Sequence, residues 1–166
     1  FKYLCDKIGI QSGIVIGNVK GEAASHAWNQ IRIEGEWYNI DVTFDMNLSR
    51  SAGDLRYDYF NVPDTVLLDR CSIFRVHSCN HNYGFYVKVK KYAKCQSDLK
   101  AIVRTRQSDI ISVQLPHIAC TDNKLFEYIF STVSDSIGEF GRYEISILPN
   151  YDTNVFTIRI NKTTRL

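Results

Sequence analysis

The spacing of apolar residues changes several times along the chain, and each change marks an element. Phe1 to Ile8 reads as the end of an amphipathic helix, closed by Gly9, a residue favoured just past a helix C-terminus. Ile14 to Val19 is a strand, and Ile31 to Ile33 and Trp37 to Ile40 form two more around a Glu34-Gly35 turn. Asp45 to Leu55, rich in Asn, Ser, Arg and Gly, reads as an exposed loop, after which Tyr57, Tyr59 and Phe60 return to the core. Asp64 to Tyr83 reads as a connection. Beyond it, Phe85, Val87 and Val89 alternate with Tyr86, Lys88 and Lys90, the period of a half-buried strand. Leu99, Ile102, Val103 and Arg106 suit a short helix with Ser97 or Asp98 as its N-cap, and Asp109 to Leu115 is a strand ended by Pro116. Leu125, Phe126, Ile129, Phe130, Val133 and Ile137 recur at helical spacing, with Asp122 near the start and Gly138 past the end. A hairpin then joins Tyr143 to Leu148 with Val155 to Ile160. The expected class is α+β, with an antiparallel sheet in a first domain over residues 1–67, a linker over 68–83, and a β-α-β-α-β-β unit over 84–166.

The first domain holds the chain's clearest chemistry. Given a two-residue hairpin, Ile33 faces Glu36, Trp28 faces Asp41 and His26 faces Thr43. His26 and Asp41 are then diagonal neighbours on one side, with Cβ atoms roughly 7–8 Å apart or less. Ala27, Ile31, Ile33, Tyr38, Ile40 and Val42 share one face, while His26, Gln30, Arg32, Asn39, Asp41 and Thr43 share the other. A three-residue loop would put His26 and Asp41 on opposite faces. A thiol that attacks an amide needs a base to take its proton and return it to the leaving amine, and a carboxylate to fix that base's tautomer. His26 and Asp41 are the candidates for these two roles.

Phe1 to Ile10, Val15-Ile16-Gly17, His26-Ala27-Trp28-Asn29, Gly35-Glu36-Trp37-Tyr38, Asp41-Val42-Thr43-Phe44-Asp45 and Tyr59-Phe60 follow one another in an order that resembles the transglutaminase-like (papain-like cysteine) family of bacteria. The resemblance covers roughly the first 65 residues and departs at Phe44, where relatives often carry Trp. It implies a truncated papain-like core, with His26 as general acid/base and Asp41 as its orienting partner. It implies no nucleophile within the chain: aligning the family's Cys-x-Gly-x-Ala-x-Ala-Phe on Phe1 puts the thiol about seven residues upstream. Cys5 would lie about eleven residues further along that helix, roughly 16 Å away at 1.5 Å per residue, and is expected to be a buried structural thiol. The implied parent is a peptidase, transamidase or deamidase working through a thioester on protein or peptide amides, including cell-wall peptides, at a bacterial surface or outside the cell. The chain alone would be inactive. The alternative is a non-catalytic protein-interaction module on a degenerate scaffold of this type.

Composition narrows the field. Apolar residues make up 45% of the 166, enough for packed cores, and 20 basic against 18 acidic residues leave a formal charge of +2 that favours no particular partner. No basic stripe interleaves with aromatics, so no nucleic-acid partner is expected. No apolar run approaches the ~20 residues of a membrane span, so no membrane insertion is expected. Five cysteines at irregular spacing do not form a disulfide framework. Cys71, His77, Cys79 and His81 are residue types that zinc prefers, but the spacing is not that of familiar structural sites, and neither metal nor cofactor is expected. The Asn-x-Ser/Thr triplets at Asn47 and Asn161 are too common to carry weight. Nothing after residue 84 assembles a nucleophile with a base, and His117 beside Pro116 is expected to be a surface or capping residue.

Overall fold

Glu34 and Gly35 close a two-residue hairpin in which Ile33 pairs with Glu36, and both turn residues take positive φ, 52° and 93°. These are the conditions of a type I′ turn, whose twist matches that of the strands it joins. The structure is a computed structural model and describes residues 1–67, 70–72, 76–117, 120–137 and 143–163. The chain divides into two compact units, Phe1–Lys88 and Val89–Leu166. The fold class is α+β with antiparallel sheets.

In the first unit, β1 (Ser12–Val19), β2 (Ser25–Ile33), β3 (Glu36–Ile40), β4 (Phe60–Val62) and β5 (Arg70–Ser72) form one sheet in the order β4-β3-β2-β1-β5. Helix α1 (Lys2–Lys7), followed by Gly9 at φ 75°, supplies Cys5 to a cluster with Ile31, Tyr38 and Ile40 on one face. Cys5 is buried as expected, while its neighbours Leu4 and Ile8 are exposed. The opposite face carries Val15, Trp28, Tyr59 and Val62, with Phe44 and Leu48 packed against them. Because the sheet has a core on each side, the face holding Gln30 and Asn39 is also closed off, and both residues are 2% exposed.

Two expected elements are corrected. Asp45 to Leu55 is not a loop: Val42–Ala52 is helix α2, capped by the Asp41 side chain and ended by Gly53 in the left-handed conformation. Thr43 therefore belongs to α2, and strand pairing stops at Asn29 with Ile40. Phe85 to Lys90 is not a strand: Phe85–Lys88 is the short helix α3, whose Tyr86 is buried and donates its OH to Asp58. The segment at 76–83, read as part of a connection, hydrogen-bonds to the first unit's sheet through His77, Cys79 and Tyr83.

The second unit runs α4 (Gln96–Arg104), β6 (Ile110–Gln114), α5 (Asp122–Ile137), β7 (Tyr143–Asn150) and β8 (Val155–Lys162), with strand order β6-β8-β7. The leading strand expected here is absent among the described residues; an isolated parallel bridge of Tyr92 with Gln114 stands in its place. The N-cap of α4 is Cys95, not Ser97 or Asp98. Gly138 lies outside the described residues. Leu99, Val103, Leu125, Ile129 and Val133 from the helices meet Ile111, Val113, Phe156, Ile158 and Ile160 from the sheet. Each such burial stabilises the unit by roughly 1.5–3 kcal/mol against full exposure. No described helix is long and apolar enough to cross a membrane.

Candidate functional site

Asp41 sits where β3 turns into α2, and its position follows from capping. Its backbone N–H donates to the Tyr59 carbonyl at 3.0 Å, and its Oδ1 accepts the Phe44 N–H at 3.0 Å. A residue so placed has one carboxylate oxygen on the helix and the other aimed back over the sheet. That second oxygen, Oδ2, lies 2.5 Å from His26 Nε2. The structure thus brings together the two residues singled out from sequence, although their contact is between a strand residue and a helix cap. The Asp41 side chain is 1% exposed and that of His26 is 17% exposed.

The imidazole is also fixed in its plane. Phe44 stacks on it with centroids 4.7 Å apart and rings within 13° of parallel, and the Trp28 ring lies 6.3 Å from it at 16°. Trp28 is itself anchored, since its Nε1–H donates to Asn39 Oδ1 at 3.2 Å. With Nε2–H donating to Asp41, the neutral ring presents the lone pair of Nδ1 as its basic site. A strand, a helix cap and two aromatic faces therefore set one nitrogen's direction.

Asp45, one turn into α2, is a member of the site that sequence reasoning passed over. Its Oδ1 accepts the Tyr59 N–H at 2.9 Å, while Tyr59 O accepts from the Asp41 N–H, so Asp45 and Asp41 hold the backbone of the same residue through the two peptide groups that flank it. Burial pushes the Asp45 carboxyl up to about 7, with the charges of Asp58 and Asp41 adding to the rise and the Tyr59 and Asp58 backbone N–H groups opposing it. The only signal was its place in Asp41-Val42-Thr43-Phe44-Asp45, a helical spacing hidden by the reading of that stretch as a loop.

Neither described thiol of the first unit serves His26. Cys5 packs with Ile31 and Ile40, on the other face of the sheet from His26 and Trp28. Cys79 is 1% exposed, with Sγ 3.2 Å from Gln30 Nε2 and its N–H on Asp64; burial and the nearby Asp64 charge push its thiol up to about 12. A thiol held so far toward its neutral form is a poor nucleophile. The side chain of Cys71 lies outside the described residues. His77 stacks flat on Trp37 at 3.9 Å, and His81 lies 3.9 Å from Glu36, so Cys79 points inward while its neighbouring histidines engage the surface. No group of three or more His, Cys, Asp or Glu gathers for a metal ion among the described residues. In the second unit, His117 Nδ1 contacts Asn154 Nδ2 at 3.2 Å.

No family model matches the chain, and no curated protein matches it either.

Proposed function

We propose that His26 and Asp41 are the general acid/base and its orienting carboxylate in a cysteine-dependent acyl-transfer site of the transglutaminase-like kind, acting on an amide of a protein or peptide. The observation that carries this reading is the 2.5 Å contact of His26 Nε2 with a buried Asp41 that two backbone hydrogen bonds hold in place. The resemblance of the first 65 residues or so supplies the class of reaction and puts the thiol on a residue upstream of Phe1.

The chemistry follows from the ring's orientation. The thiol proton passes to His26 Nδ1, and the thiolate adds to the amide carbonyl carbon. As the tetrahedral intermediate collapses the C–N bond breaks, and the departing amine takes the proton from Nδ1, leaving a thioester. Water attacking the thioester releases the acid, which is hydrolysis of a backbone amide or deamidation of a side-chain amide, and a second amine gives transamidation. Asp41 stabilises the imidazolium formed in each half-reaction. The Phe44 ring holds the imidazole plane, and the Asp41 contact to Nε2 keeps Nδ1 turned outward.

The test uses the polypeptide extended upstream of Phe1 to include the aligned cysteine. His26→Ala is expected to lower thioester formation on an amide substrate, followed by intact-protein mass spectrometry, by about 10²–10⁴-fold. Asp41→Asn should cause a loss of similar order, because the ring is then free to adopt the wrong tautomer. Turnover unchanged in His26→Ala, in a variant that remains folded, overturns the assignment.

A further inference from the structure

Between the end of α4 and the start of β6, the second unit contains a cavity of about 340 Å³, within the range of small-ligand pockets. Its floor is apolar and comes from Ile102, Ile110 and Ile111. Three cations, Lys90, Lys91 and Arg106, line it, and among the described residues no carboxylate does; Asp109 belongs to an adjoining depression that shares Arg106. Loose surface lysines would mean little, but Arg106 is tethered to the backbone. Arg106 donates from Nη1 to the Val103 carbonyl at the end of α4 at 3.0 Å, which orients the guanidinium and leaves further N–H groups for a ligand. Lys90 has φ 57°, a left-handed conformation that is cheap for Gly and strained for a residue with a side chain. A lysine occupies this strained position on the cavity wall, and strain of this kind tends to collect where binding needs it.

An apolar floor beneath an unbalanced set of cations selects a ligand with the same two halves. We propose that this cavity binds a small amphiphilic anion, a carboxylate or phosphate carried on an apolar body. All of its lining residues belong to the second unit, whereas His26 and Asp41 belong to the first. The phosphate and carboxylate forms share the recognition chemistry, because an arginine fork accepts either head group.

The experiment is an amide chemical-shift titration of the full chain with phenyl phosphate, phenylacetate, inorganic phosphate and phenol as probes. Saturable shifts are expected at residues 89–91 and 102–111 for both amphiphilic anions, with Kd in the region of ~1 mM. Phosphate alone and phenol alone, each having one half of the recognition, are expected to bind about tenfold more weakly. Whichever amphiphilic anion binds more tightly identifies the preferred head group. Salt should weaken the binding, since the attraction acts across a wet rim. Arg106 also tethers the end of α4, so the deciding variant is Lys90→Gln with Lys91→Gln, which leaves that tether intact; phenyl phosphate affinity should fall at least about fivefold. The absence of saturable shifts at these residues, or unchanged affinity in the folded double variant, overturns the proposal.

Discussion

Asp41 is fixed through its N–H to the Tyr59 carbonyl, its Oδ1 to Phe44 and its Oδ2 to His26, and Asp45 holds the Tyr59 N–H. Asp45 therefore links the protonation of one buried carboxyl to the fold around the site. Its folded value of about 7 lies above the ordinary 3.8, so the native state binds this proton more tightly than the unfolded chain. The stabilisation is fully present below the unfolded value, is lost as pH rises between the two values, and changes no further above about 7. The slope contributed by this single proton is at most about 1.4 kcal/mol per pH unit. Asp45→Asn mimics the neutral form, so urea unfolding at a series of pH values across that window should give the variant a flatter profile than the native chain; parallel profiles would refute the linkage. At this scale the His26–Asp41 pair was legible because β-register is arithmetic, and an Asn29–Ile40 pair extrapolates to the right neighbours. Phe44 stacking on the ring and Asp45 reaching Tyr59 were not, because both depend on a helix that the local pattern concealed.

That helix shows why polarity alone misleads at the level of elements. Asp45 to Leu55 is rich in residues typical of loops, yet Phe44, Leu48 and Ala52 fall at i, i+4 and i+8 between the Asp41 cap and Gly53. Three apolar positions on one face suffice once both ends are capped. Helix α3 makes the opposite point, since Phe85, Val87 and Val89 have a clean strand period, but Val87 and Val89 are exposed and Tyr86 is the residue that is buried. What decides its conformation is distant in sequence: Arg56 forms a buried pair with Asp58 through Nε and Nη2, and Tyr86 donates to the same carboxylate at 2.7 Å. A buried ion pair contributes only if its remaining lone pairs are satisfied, so α3 completes it. Tyr86→Phe keeps the ring and removes the donor; it should cost about 1–3 kcal/mol in urea denaturation. A loss too small to measure would mean that ring packing alone sets the helix.

Over the whole molecule, the cores fall on either side of the boundary at Lys88 and Val89. The first unit's clusters draw buried residues from Cys5 to Leu67, and the second's from Ala93 to Ile160, with none in common. The thiols report on these cores separately. Cys5 and Cys79 are buried in the first unit, and Cys95 and Cys120 are exposed in the second. In the native chain, iodoacetamide followed by peptide mapping should label Cys95 and Cys120 first. Cys79 is protected twice over, because its thiol is both covered and pushed up to about 12, so labelling requires the sheet face to open. Ile129→Ala removes a fully buried side chain from the second core, at a cost of about 2–5 kcal/mol to that unit. If each core holds its own unit together, this variant should lower the stability reported by the second unit's amides in hydrogen exchange. Labelling of Cys5 and Cys79 should keep its native rate. Faster labelling of those two thiols in Ile129→Ala would show that the units unfold as one, and that the framework around His26 and Asp41 depends on residues far along the chain.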